Sequence, residues 1–139
     1  MKIKEIQEEI VAEFSDLDDW MDRYQLLIDM GNELAPLDDK YKVEQNLIDG
    51  CQSRVWIVCE ENNGRLFFQA DSDALIVKGI IALIIRVFNN QTADDILNAE
   101  LDFIDDIGLK EHLSPTRSNG LLAMIKQIRI YALAFTQLN

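Results

Sequence analysis

Cys51, Cys59, His112 and Arg117 are the side chains of this sequence whose types and surroundings invite chemistry. Cys51 lies in Gly50-Cys51-Gln52-Ser53-Arg54-Val55-Trp56, directly after a glycine and just ahead of an apolar, β-rich run. Glycine reaches backbone conformations closed to other residues, so the chain can turn sharply there. The thiol then falls on the rim of a strand. A loop thiol is a candidate nucleophile, whereas a thiol inside a strand is usually inert. The polar Gln52 and Ser53 favour exposure. The competing reading makes Cys51 a small apolar residue closing the strand end. Cys59 shares strand parity with Val55 and Ile57 and reads as core.

His112 is the only histidine. A Cys51–His112 nucleophile–base pair stays open, because such partners meet in space rather than in sequence. So does a histidine sitting at a helix end with no catalytic role. Arg117 follows Ser114-Pro115-Thr116 and is expected on a helix-entry loop. A cation near a thiol favours the nucleophilic thiolate; a solvated arginine is the alternative. Two cysteines and one histidine are too few for an ordinary structural zinc site. No Gly-rich phosphate loop, His-Glu-x-x-His or Gly-x-Ser-x-Gly occurs. If residues 52–59 form a strand, the two sulfurs lie about 25 Å apart at about 3.3 Å per residue. A disulfide needs Cα atoms within about 7 Å, so both thiols are expected to be free.

The elements that must hold these residues follow from periodicity. Ile3, Ile6, Ile10 and Phe14 mark an amphipathic helix whose acidic stripe reads as a solvated face. Asp16 or Asp18 is expected to cap a second helix carrying Trp20, Tyr24, Leu27 and Ile28, with Gly31 ending it. Residues 32–49 lack periodicity, apart from a short strand expected around Asn46-Leu47-Ile48. The run 53–59 reads as a strand, Asn62-Asn63-Gly64 as a hairpin turn, and Arg65 to Ala70 as the return strand. Asp71-Ser72-Asp73 looks like an N-cap cluster for the apolar run from Ala74 to Phe88, a buried central helix. Thr92 caps a short helix, Gly108 closes another turn, and Ser114-Pro115 fits an N-cap followed by proline at the first helical position. The last helix is expected to carry its apolar face from about Asn119. The fold class is α+β, with an antiparallel sheet of about three strands packed on several helices in one domain, 1–139.

Composition bounds the partners. The chain carries 25 acidic against 13 basic residues, a net charge of −12. That balance repels phosphate backbones and anionic membranes, so neither nucleic acid nor a membrane is expected as partner. The N-terminus lacks an apolar secretory region, and Ala74 to Phe88 is shorter than the roughly 20 residues of a span. A cytoplasmic location is expected, where thiols stay reduced.

Three blocks carry a family resemblance: Gly50 to Trp56, then Asp71-Ser72-Asp73-Ala74-Leu75-Ile76-Val77-Lys78-Gly79, then His112 to Leu121. In this order and spacing they resemble the SufE family of sulfur acceptors, with a SufE/IscU-like fold. Gln52-Ser53 resembles the SufE branch; the related CsdE branch typically has Glu-Asn there. The resemblance implies that Cys51 accepts sulfur from a SufS-type cysteine desulfurase as a persulfide. The sulfur would then pass to a downstream iron–sulfur scaffold complex. It makes Gly50, Gln52, Ser53, Arg54, Asp73 and Arg117 supporting neighbours. It also implies no cofactor in this chain, the pyridoxal phosphate belonging to the desulfurase. Such a protein is a sulfurtransferase-like accessory rather than an independent enzyme. It would shelter Cys51 when alone, because an exposed persulfide is open to oxidation. A non-catalytic interaction module with a structural Cys51 is the alternative. The sequence leaves a homodimer open.

Overall fold

The computed structural model describes residues 1–138, with side chains described through residue 136. Helices α1 (Ile3–Ser15) and α2 (Trp20–Glu33) lead through two short 3-10 turns into the hairpin of β1 (Val55–Asn62) and β2 (Arg65–Ser72). Then come α3 (Leu75–Phe88), the two-residue β3 (Gln91–Thr92), α4 (Ala93–Asn98), α5 (Phe103–Asp106), α6 (Leu109–His112) and α7 (Pro115–Leu138). The sheet is antiparallel in the order β1-β2-β3. This is the expected α+β class.

Asn63 and Gly64 sit at φ 53° and 81°, both positive, as a two-residue hairpin loop demands. That turn sets the register Asn62↔Arg65 through Val55↔Ser72. Val55, Ile57, Leu66, Phe68 and Ala70 therefore share one face and are buried. The opposite face carries Trp56, Val58 and Phe67, which are only half covered. The expected strand near Asn46 is reduced to a single bridge, Leu47↔Trp56, with Ile48 N–H bonding the Val55 carbonyl at 2.9 Å. The third strand lies instead on the other edge, at Gln91–Thr92. Asn90 turns the chain into it at φ 60°, and the Asn89 side chain accepts the Phe68 N–H at 2.8 Å.

Helix α3 is the core of the molecule, buried from Gly79 through Ile85. Its N-cap is Ala74, without a side-chain cap. The Asp71-Ser72-Asp73 cluster is used otherwise: Asp71 pairs with Lys42 and Lys78, and Asp73 with the Arg54 backbone. Asp19, not Asp16 or Asp18, caps α2 by accepting the Met21 N–H at 2.9 Å. Gly31 does not end that helix, which continues to Glu33. It lies where α2 crosses α3: a Cβ on Gly31 would stand 2.9 Å from Gly79 N, and one on Gly79 only 2.1 Å from the Leu27 carbonyl oxygen. Two glycines thus bring the helix backbones together. The acidic face of α1 is not wholly solvated either, since Glu9 and Glu13 both bind Arg86 of α3. Among the described residues no helix is long and apolar enough to cross a membrane.

Candidate active site around Cys51

Gly50 takes φ 91°, a conformation that strains any side chain. The chain turns there and lays Cys51 against α7. A Cβ on Gly50 would meet the Ala123 side chain at 3.4 Å, and one on Gly120 would meet Cys51 Sγ at 3.5 Å. The loop therefore rests on the small residues of α7. Past the thiol, Asp73 closes the loop's base. Its Oδ1 accepts the Arg54 N–H at 3.1 Å, and its own N–H donates to the Arg54 carbonyl at 3.3 Å.

Cys51, Gln52 and Ser53 line a cavity of about 390 Å³ together with Val77 and Ile80 of α3 and Ser114, Thr116, Arg117, Gly120 and Met124 at the start of α7. The thiol is half-buried rather than exposed. Its S–H donates to the Gly120 carbonyl at 3.7 Å. Burial pushes the thiol above its ordinary value of 9.0, so the resting sulfur is protonated. Arg117 shares the cavity, and its side chain has no ion-pair partner among the described residues. In this conformation it does not offset the burial of the thiol. Arg117 also sits in the first turn of α7, not on an entry loop, its N–H bonded to the Ser114 hydroxyl at 3.3 Å. The helix begins at Pro115 and runs unbroken through Gly120.

His112 is not among the residues lining this cavity. Its ring stacks on Trp20 with centroids 3.9 Å apart, and its Nδ1 bonds the Gly108 carbonyl oxygen at 3.0 Å. The nucleophile–base pairing with Cys51 is not formed. Cys59 sits half-buried on the inner face of β1, and burial, aided by Glu60, pushes its thiol up to about 12. Both thiols are free. Gly120, Met124, Val77 and Ile80 are site residues that sequence reasoning missed. The available signal was Gly120 itself, a glycine inside a helical pattern with no turn to make.

A larger cavity of about 730 Å³ lies between α1 and the α4–α5 connection. It holds no thiol or imidazole. Its one buried polar side chain, Gln7, is bonded at both ends of the amide, to the Glu100 carbonyl and from the Phe103 N–H. Its role is to tie α1 to that connection. Among the described residues no cluster of three His, Cys, Asp or Glu side chains is arranged to hold a metal ion.

A solution structure of a hypothetical protein from Thermus thermophilus superposes with a TM-score of 0.76 over 93% of this chain and 94% of that one, at 18% identity. That likeness is one of fold. The family model of SufE, described as an Fe-S metabolism associated domain, matches residues 8–132 and so contains the Cys51 loop, the Asp73 clasp and the Arg117 turn. The chain belongs to the SufE family.

Proposed function

We propose that this chain takes sulfane sulfur from a cysteine desulfurase onto Cys51 and carries it as a persulfide toward iron–sulfur cluster assembly. Relieving the desulfurase of its sulfur would raise that enzyme's turnover. The observation that carries the reading is the cavity at Cys51, lined by apolar Val77, Ile80 and Met124 together with Arg117, an exposed residue with no ion-pair partner among the described residues. The lining is mixed, and its apolar part, Val77, Ile80 and Met124, suits a sulfur that must be kept from water and oxidants. An arginine among the lining residues suits a sulfur that is anionic at the moments of arrival and departure. Family membership supplies the metabolic setting.

The chemistry is thiolate attack on a persulfide, a relative of thiol–disulfide exchange. Cys51 loses its proton, and its sulfur attacks the outer sulfur of the donor persulfide. One S–S bond forms and the donor's S–S bond breaks. The electron pair leaves with the donor thiolate, which takes up a proton, so nothing is oxidised or reduced overall. The resting thiol is aimed inward at Gly120 and held protonated. The step therefore requires the loop to swing outward when the partner docks. The docking surface must surround that loop, where Arg54, Asp73 and Arg117 supply the charged groups. The carrier works as an accessory without a cofactor of its own, and pyridoxal chemistry stays with the desulfurase.

Burial of Cys51 also favours a second reading, an interaction module in which this thiol is structural. Alanine production by a desulfurase, measured with and without the chain, separates the two. The carrier reading expects turnover to rise with the wild-type chain and not with Cys51→Ser. Equal stimulation by both would leave the structural reading standing.

A further inference from the structure

Gly120 is the sixth residue of α7, inside a continuous helix, and its backbone does not need a positive φ. Glycine is among the poorest residues for such a position. Nor does the resting thiol require it. Outside its own helix, a methyl group at Gly120 would touch one neighbour among the described residues, Cys51 Sγ, at 3.5 Å, an ordinary van der Waals contact. Alanine would therefore fit the reduced protein and make the better helix.

The picture changes when Cys51 carries a second sulfur. An S–S bond is about 2.05 Å long. An outer sulfur pointed toward Gly120 would come within about 1.5 Å of a Cβ placed there, far inside contact distance. With glycine no side chain stands in that direction, and the helix backbone lies one bond further back, so an outer sulfur turned slightly off that line is not blocked by a methyl. We infer that Gly120 lacks a side chain in order to seat the outer sulfur of the Cys51 persulfide. It is thus a positioning residue that distinguishes the loaded from the empty carrier. The inference rests on the carrier reading above, and names the wall of the cavity against which the cargo lies.

The test loads purified wild type and Gly120→Ala with inorganic polysulfide, which needs no desulfurase. Cys51 attacks a terminal sulfur of the polysulfide, which leaves shortened by one atom as the anion. The persulfide is then exposed to cyanide, which removes the outer sulfur as thiocyanate and returns the thiol. Intact mass follows the loss. Gly120→Ala should fold with an unchanged or higher thermal midpoint, and its reduced thiol should alkylate at the wild-type rate. Its persulfide should disappear at least fivefold faster, because the outer sulfur is turned out to solvent. Equal persulfide lifetimes would overturn the inference. So would faster alkylation of the reduced variant, since the methyl would then be displacing the bare thiol. A wild-type chain that takes no sulfur from polysulfide would overturn it as well. Loading by polysulfide but not by a desulfurase would sink the carrier reading and leave the seat at Gly120 intact.

Discussion

Asp73 and Arg54 clasp each other through two hydrogen bonds: the Asp73 carboxylate takes the Arg54 N–H at 3.1 Å, and the Asp73 N–H meets the Arg54 carbonyl at 3.3 Å. The clasp sits where β1 begins and β2 ends, so it closes the base of the Cys51 loop. Removing the carboxylate leaves the backbone bond alone to hold that base. Asp73→Ala should cost about 1 kcal/mol, the usual worth of one such bond. It should also raise the alkylation rate of Cys51 at neutral pH severalfold. An unchanged rate would mean that the clasp does not restrain the loop.

The two thiols should part company in function and in stability. Cys51→Ser should lose sulfur acceptance with little change in unfolding midpoint, because the loop lies outside the sheet. Cys59→Ser should keep acceptance but lose about 1–3 kcal/mol, since it places a hydroxyl on the core side of β1. Burial first, then Glu60, holds the Cys59 thiol up near 12 against an ordinary 9.0. A raised thiol contributes stability that is fully present below the ordinary value and lost as pH climbs through the folded one. The gap between Cys59→Ser and wild type should therefore narrow between pH 9 and 12. Denaturant melts across that range check it.

Asp71 should behave with the opposite pH sense. Burial works to raise its carboxyl, but hydrogen bonds from Lys42, the Ser72 N–H and Lys78 outweigh it and hold the group below its ordinary 3.8. That stabilisation is present above the ordinary value and disappears as pH falls through the folded one. Asp71→Asn should melt below wild type at pH 7, with the two converging below about pH 4. Parallel curves down to low pH would show that the two lysines do not depend on its charge.

Gly79→Ala should be the most damaging of these small changes. Its methyl would stand 2.1 Å from the Leu27 carbonyl oxygen and 2.5 Å from the Leu27 carbonyl carbon, backbone atoms of α2 that cannot yield as a side chain could. Forcing α2 away from α3 should cost about 1–3 kcal/mol or more, against the gain in helix propensity that alanine normally brings. A variant as stable as wild type would contradict the close crossing.

What could be read from the sequence was local. Asn63-Gly64 announces its hairpin because the turn needs positive φ at both positions. The run to Phe88 announces a buried helix because it is apolar nearly all round. Cys51 could be singled out from Gly50, and the Ser114 cap from Pro115. The rest depends on residues far apart in the chain. Gln91–Thr92 is too short for periodicity to register, and its pairing with Leu66 and Arg65 comes from the turn at Asn90. Gly31 looks like a helix stop until Gly79 is brought against it. His112 looks like a base for Cys51 until Trp20 claims its ring. The seat for the thiol, made by Gly120 and Met124, belongs to a helix 69 residues downstream of it.

The most direct test of the central claim is the intact mass of the chain after incubation with a SufS-type cysteine desulfurase and cysteine, followed by peptide mapping. Wild type and Cys59→Ser should each gain the mass of one sulfur atom, mapped to Cys51 and removed by a reducing thiol. Cys51→Ser should gain none. Sulfur found on Cys59, or a wild-type chain left unmodified while the desulfurase turns over, would contradict the assignment of Cys51 as the sulfur acceptor.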